Sequence, residues 1–306
     1  MKKVGYFYDD IFLAHDMPTG HPESKDRLTA INRALKHSPL WDKVLHLKPG
    51  RAERDNILLV HTLPYYEDVL KFTGYYDPDT YISPRSVEAA HFAAGAVTGA
   101  VDRCCSGELD RAFCAVRPPG HHAEADRAMG FCIFNNIAIG ARYAQKLGYK
   151  KVMIIDFDVH HGNGTQHTFE EDDTVFYFST HQYPHYPGTG NDLDTGKGRG
   201  KGFTYNIPMH YGSGDKDFFI AYCDLLPGLI TRFAPDIVLV SAGYDLHAKD
   251  PLAGLKVTDE GIRCIVRSIL RNCPDVPHIF SLEGGYDLFS LSASVMITIE
   301  ELLNCE

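Results

Sequence analysis

The chain has 306 residues, 44% of them hydrophobic and 23% charged, a balance that excludes a disordered or fibrous protein. Its 30 Lys and Arg against 40 Asp and Glu leave a formal charge of −10. Nucleic-acid binding uses a basic field that this chain lacks overall, although a local acidic mouth could still receive a cationic substrate.

In chain order, Lys3–Tyr8 predicts a first strand and Ser24–His37 a first helix. Ser86–Cys105 follows as an alanine-rich helix, narrow enough to pack closely on a sheet, and then come a strand at Ala112–Val116 and a helix at Phe134–Leu147. Lys151–Asp158, Thr174–Thr180 and Thr204–Pro208 predict three more strands, and Asp215–Phe233 a helix. Asp236–Gly243 is a strand, Thr258–Leu270 a helix with acids in its first turn, His278–Gly284 a strand and Leu291–Leu303 a last helix. Continuous apolar runs such as VMII and DIVLV suit strands covered on both faces. This alternation implies an α/β fold, one domain with a mostly parallel central sheet and helices on both faces. Length alone would allow two domains, but no composition break marks a linker. The Gly-rich tract at 188–202 lacks the strand and helix of a phosphate loop and reads as a long surface loop.

Eight cysteines include no C-x-x-C pair and lie partly in apolar stretches, which reads as reduced, buried thiols. Asp9 and Asp10 interrupt the segment after the N-terminal lysines, a poor signal peptide, and no run approaches the roughly 20 apolar residues that span a bilayer. The expectation is a cytoplasmic protein with no nucleic-acid or membrane partner; homo-oligomerisation is left open.

Ligands of such sheets bind beyond the carboxyl ends of the strands. Polar groups gather there in RPPGHHAEADRAMGF, DFDVHHGNGT, AGYDLHAKDPLAG and EGGYDL, each following a predicted strand. Strand alternation puts Asp156, Asp158 and His160 on one side, a ladder of acids and imidazole whose mutual repulsion a cation would relieve. Asp158 and His160, with Asp245 from another strand, make two carboxylates and one imidazole, the donor set of an open catalytic zinc site that Fe(II) also fits. His121 and His122, after a Pro-Pro-Gly turn, read as acid–base machinery, with Asp156 to orient one imidazole and Asn163 the other. Tyr286, behind two glycines, is a neutral donor suited to a developing oxyanion.

Taken together, RPPGHHA, GFCIFNN, DFDVHHGNGTQ, YPGTG, VSAGYDLHAKDPLAG and EGGYDL resemble the zinc-dependent histone deacetylase family, in its class II branch and the related bacterial deacetylases. HPESKDRL and SVEAAHFAAGAV extend the resemblance over nearly the whole chain. It implies the arginase/deacetylase fold, one deacetylase catalytic domain over residues 1–306, and Asp158, His160 and Asp245 as zinc ligands. It implies His121 and His122 as acid–base histidines, with His122 taking the proton from water, and Tyr286 as the group that polarises the acyl carbonyl. Phe131 and Tyr186 match the aromatic walls of an acyl-lysine tunnel, and Gly130 its lining glycine. A structural potassium site would use Asp156, Ser179 and Thr180 with main-chain oxygens of Asp158 and His160. Asn163 fits the class II pattern, and Tyr186 replaces the commoner phenylalanine.

The implied substrate is acetyl-lysine in a peptide or protein, with hydroxamate inhibitors expected to bind. Acetylated polyamines and other small acylamines are the alternative, and a catalytically silent acyl-lysine reader is a third. Family members that favour the longer polyamines carry an acid where this chain has Leu252, which weighs against polyamines. Asp77 and Asp79 read either as rim acids that meet the substrate main chain or as solvated turn acids.

Overall fold

The computed structural model describes residues 2–305. Its main sheet uses β1 (Val4–Phe7), β2 (Leu45–Leu47), β5 (Arg111–Cys114), β6 (Val152–Asp156), β7 (Val175–Gln182), β8 (Thr204–Met209), β9 (Ile237–Ala242) and β10 (His278–Leu282). The order is β2-β1-β5-β10-β9-β6-β7-β8, and every neighbouring pair is parallel. Buried on both faces, β5, β6, β7, β9 and β10 have the burial that their unbroken apolar runs require.

Two helical layers cover the sheet. α1 (Asp26–Lys36), α9 (Asp259–Arg271) and α10 (Leu288–Asn304) pack on one another in series, while α4 (Ser86–Cys105) packs on α5 (Asn136–Lys146); α2 (Arg54–Ile57) and α3 (Leu63–Val69) are short helices in the connection after β2. Asn135 caps α5, its side chain accepting from Ala138 N at 3.0 Å, so that helix starts two residues after the expected Phe134.

Several elements depart from the sequence reading. β2 is a three-residue edge strand with no apolar run, and β3 (Gly74–Tyr75) pairs with β4 (Tyr81–Ile82) as a separate small hairpin. The helix expected over 215–233 is three pieces: α7 (Asp215–Phe219), a π-helical stretch at Ile220–Leu225, and α8 (Leu226–Phe233). Pro227 lacks the amide that a continuous helix needs, and the turn before it widens. α6 (Asn163–Phe169) is a short helix that the sequence reading does not include. The 188–202 tract is a mostly exposed connection between β7 and β8. All eight cysteines are free, but Cys105 is exposed and Cys223 and Cys264 are half-buried, so the thiols are not uniformly interior.

Candidate active site

β5, β10, β9 and β6 are consecutive neighbours in the sheet, so the segments beyond their carboxyl ends meet. β6 stops at Asp156, which places Asp158 and His160 in the following loop rather than on the strand. The expected three-member ladder therefore divides. Asp156 turns to His121, while Asp158 and His160 meet Asp245 from the β9 side.

One donor atom from each of Asp158, His160 and Asp245 lies within 4.8 Å of the others. His160 Nδ1 is 3.0 Å from Asp158 Oδ1 and 3.2 Å from Asp245 Oδ2. Both carboxylates are buried, and Asp245 Oδ2, although 3.2 Å from His160 Nδ1, accepts no well-directed hydrogen bond. A Cβ on Gly284 would stand 1.9 Å from that oxygen and 2.7 Å from Asp158 Oδ2, so only glycine lets the chain pass here. Burial raises Asp158, but His121 and His160 outweigh it and hold the carboxyl low, while burial and Asp158 raise Asp245. An orphaned carboxylate oxygen, a second acid and an imidazole in a dry setting fit a bound cation, and this buried cluster could hold a metal.

The two tandem histidines stand in contrasting surroundings. His121 Nδ1 is 3.0 Å from Asp156 Oδ2, and His122 Nδ1 is 2.8 Å from Asn163 Oδ1. Burial opposes charge on His121, yet Asp156 and Asp158 raise it to about 10. Burial, His121 and His160 push His122 well below its usual value. Two adjacent imidazoles are thus driven apart, one towards the protonated and one towards the neutral form.

Above them lies a cavity of about 240 Å³ lined by Asp79, Pro119, His121, His122, Gly130, Phe131, His160, His185, Tyr186, Leu252, Gly284 and Tyr286. Phe131 and Tyr286 meet edge to face at 6.0 Å, and Tyr186 sets its ring edge on His122 at 5.2 Å. Gly130 has φ +56°, and a Cβ there would come within 2.4 Å of His122 Cδ2. Phe131 itself has φ +69°, a strained conformation for a bulky residue, held in part by Thr80 Oγ1 accepting from its amide at 3.0 Å. Burial pushes the Tyr286 phenol well above its usual value, and burial with Asp77 raises Asp79. A larger cleft of about 570 Å³ between α4 and the 48–53 segment mixes Lys48, Arg51 and Arg103 with Glu53, Asp102 and Glu108 and lies apart from this chemistry.

Ser179 is the register partner of Asp156 on β7, and both are fully buried. Ser179 Oγ pairs with His181 Nδ1 at 2.9 Å, and Thr180 Oγ1 with the Tyr222 hydroxyl at 2.9 Å. The Asp156 carboxylate is engaged by His121 Nδ1, the Tyr177 hydroxyl and Asp158 N.

Other residues of the site escape a sequence reading. Glu283, fully buried, accepts from Gly120 N at 2.6 Å and His121 N at 3.2 Å, and burial lifts it to about 7. Arg27, with no exposed surface, donates to Gly285 O at 2.7 Å and Glu283 O at 2.5 Å, and pairs with Glu23 at 3.0 Å, which also binds Arg117. This network fixes the turn that carries Tyr286. Asp250 Oδ2 accepts from Tyr286 N at 2.6 Å. At the mouth, His185 stacks on His160 at 5.1 Å and His21 meets the Phe131 ring at 4.7 Å. The available signal was an acid or arginine set directly against an apolar run, which sequence alone does not separate from a solvated charge.

The model of the histone deacetylase domain matches residues 21–302. The chain belongs to the histone deacetylase family. It is 38% identical to Histone deacetylase 5 of Arabidopsis thaliana, over 99% of this chain and 49% of that protein. A probable deacetylase of Archaeoglobus fulgidus is 35% identical over 93% of this chain and 82% of its own, and the human Polyamine deacetylase HDAC10 is 37% identical over 95% and 46%. The crystal structure of the HDA15 HD domain superposes with a TM-score of 0.94 at 36% identity, covering 98% of this chain and 91% of the other. The fold is therefore the arginase/deacetylase fold, and these relatives support deacetylase function. The chain spans about half the length of the first of its curated plant relatives. No helix among the described residues is long and apolar enough to cross a membrane.

Proposed function

We propose that residues 1–306 act as one catalytic domain that hydrolyses the acetamide of acetyl-lysine in peptides or proteins, with Asp158, His160 and Asp245 holding zinc, or Fe(II) in its place. The observation that carries this reading is the orphaned Asp245 Oδ2 beside Asp158 and His160, at the floor of a cavity with aromatic walls. A divalent ion in that position supplies Lewis-acid polarisation of a carbonyl and lowers the pKa of water.

The chain's own groups carry the proton traffic. His122, driven towards its neutral form, accepts a proton from water at Nε2. Tyr286, kept neutral, donates to the amide oxygen as it gains charge. His121, kept protonated against Asp156, gives a proton to the departing amine, so that amide and water become acetate and lysine. Phe131 and Tyr186 grip the flat apolar stem, Gly130 leaves it room, and Leu252 and Asp79 border the entrance. Asp156, Ser179 and Thr180, with main-chain oxygens of Asp158 and His160, would hold potassium as a structural ion under the floor. The chain's eight cysteines, with no C-x-x-C pair, support action in the reducing cytoplasm.

The test is a panel of acyl-lysine peptides and acetylated polyamines on metal-defined protein, with a hydroxamate control. Preferred, hydroxamate-blocked release of acetate from the peptides is expected. Preference for polyamines would move the substrate to small acylamines, as the name of the human relative has it for that protein, and binding without turnover would make the chain an acyl-lysine reader.

A further inference from the structure

His122 is oriented by an amide, and an amide can face either way round. Asn163 settles this through its second edge. Its Nδ2 lies 3.2 Å from the main-chain oxygen of His122, 2.5 Å from Glu124 Oε1 and 3.4 Å from Met129 Sδ. All three are acceptors, so the NH2 group must face them and Oδ1 must face the imidazole. Oδ1 can only accept, so the proton of a neutral His122 sits on Nδ1 and the lone pair on Nε2. The carboxylate is the strongest of the three acceptors. Glu124 is 9% exposed, and His167 Nδ1 lies 2.9 Å from the same Oε1 and 3.1 Å from Oε2. Burial raises its carboxyl, but the bonds from His167 and Asn163 and the charges of His167 and Arg127 outweigh this and hold it ionised.

We propose that Glu124 is a positioning residue: its carboxylate locks the Asn163 amide, and through it the His122 tautomer whose Nε2 is free to take a proton. Turning the amide over would point an oxygen at a carboxylate and give His122 a donor at Nδ1, moving the ring's own proton to Nε2, where no proton could be accepted. The catalytic consequence rests on the reading of His122 as proton acceptor; the orientation does not.

Glu124→Gln keeps the shape but offers an NH2 that can bond Asn163 Oδ1, so both amide orientations become tolerable. Metal-loaded protein with 15N-labelled histidine, with the His122 signals assigned by their loss in His122→Gln, should show Nδ1–H in the wild type and a mixture of tautomers in Glu124→Gln. On an acetyl-lysine peptide, kcat should fall by roughly 10- to 100-fold, the usual range for an outer-shell partner, with KM within about twofold and metal content unchanged. The reciprocal change gives a check that loss of folding cannot imitate. Asn163→Asp alone sets two carboxylates against each other, whereas Asn163→Asp with Glu124→Gln restores a donor–acceptor pair, so the double variant should be more active than Asn163→Asp. Wild-type kcat and a pure Nδ1–H signal in Glu124→Gln, or no recovery in the double variant, would overturn the proposal. If the tautomer responds but the wild type hydrolyses no acetyl-lysine peptide, the positioning stands and the hydrolase reading fails.

Discussion

At the floor of the cavity Asp158, His160 and Asp245 follow directly on the ends of β6 and β9; at its mouth Asp79, Phe131, Tyr186 and Leu252 ride on longer connections. Floor side chains are held by hydrogen bonds to one another and to the main chain, as in His121 to Asp156 and Val159 N to Asp245 Oδ1 at 2.9 Å. Mouth side chains meet mainly by ring edges, as Tyr186 does with His122 and His21 with Phe131. Short extensions from the ends of buried strands are held more tightly than long loops are. Rate should therefore depend on the floor, and affinity and selectivity on the mouth.

The largest effect is expected from the floor. Asp245→Ala should abolish both metal retention, read by elemental analysis, and turnover; added zinc should restore chelator-treated wild type but not the variant. Metal bound at wild-type stoichiometry in Asp245→Ala would remove Asp245 from the ligand set. Tyr286→Phe comes next, with kcat down about 10²- to 10³-fold, the range for removing one oxyanion donor, and KM nearly constant. A change confined to KM would place Tyr286 with the mouth instead.

Phe131→Ala sharpens the other half of the comparison. Losing the apolar contact of one wall costs about 1.5–3 kcal/mol, or roughly 10- to 150-fold in KM, with kcat less affected. A fall in kcat with KM unmoved would mean that the strained Phe131 backbone helps to position His122 through Gly130. Leu252→Glu should be milder, raising acetylpolyamine turnover relative to an acetyl-lysine peptide by a few-fold, since an exposed ion pair contributes about 0.2–1 kcal/mol. Unchanged selectivity would show that the entrance at Leu252 does not meet the inner ammonium of a polyamine.

The same division governs what could be read from the sequence. Strands buried on both faces leave continuous apolar runs, and groups just beyond them, such as Asp158 and Tyr286, stand out because of where those runs stop. β2 was not legible, because a three-residue edge strand with Leu45 and His46 exposed buries too little to impose a pattern. Glu283 and Glu124 stand in their motifs with nothing local to reveal a role, since an acid's partner is set by segments far away in sequence. In Glu283 that partner is the backbone of Gly120 and His121, more than 160 residues earlier. α6 was masked by Gly162 at its start and Gly164 within it, although it is the element that carries Asn163 to His122.

The smallest predicted effect tests the mouth at its finest grain. Tyr186 is 36% exposed, and its ring packs edge-on against His122 at 5.2 Å and His160 at 6.1 Å. Those contacts belong to ring carbons that Tyr186→Phe retains, and burial raises the phenol to a value at which it stays neutral in any case. Removing the hydroxyl should therefore change kcat/KM by no more than about twofold, the ordinary range for a half-exposed substitution without a buried partner. A tenfold loss limited to peptide substrates, with a free acetyl-lysine analogue unaffected, would instead show the hydroxyl bonding the peptide main chain, and the mouth would then select by polar contact as well as by fit.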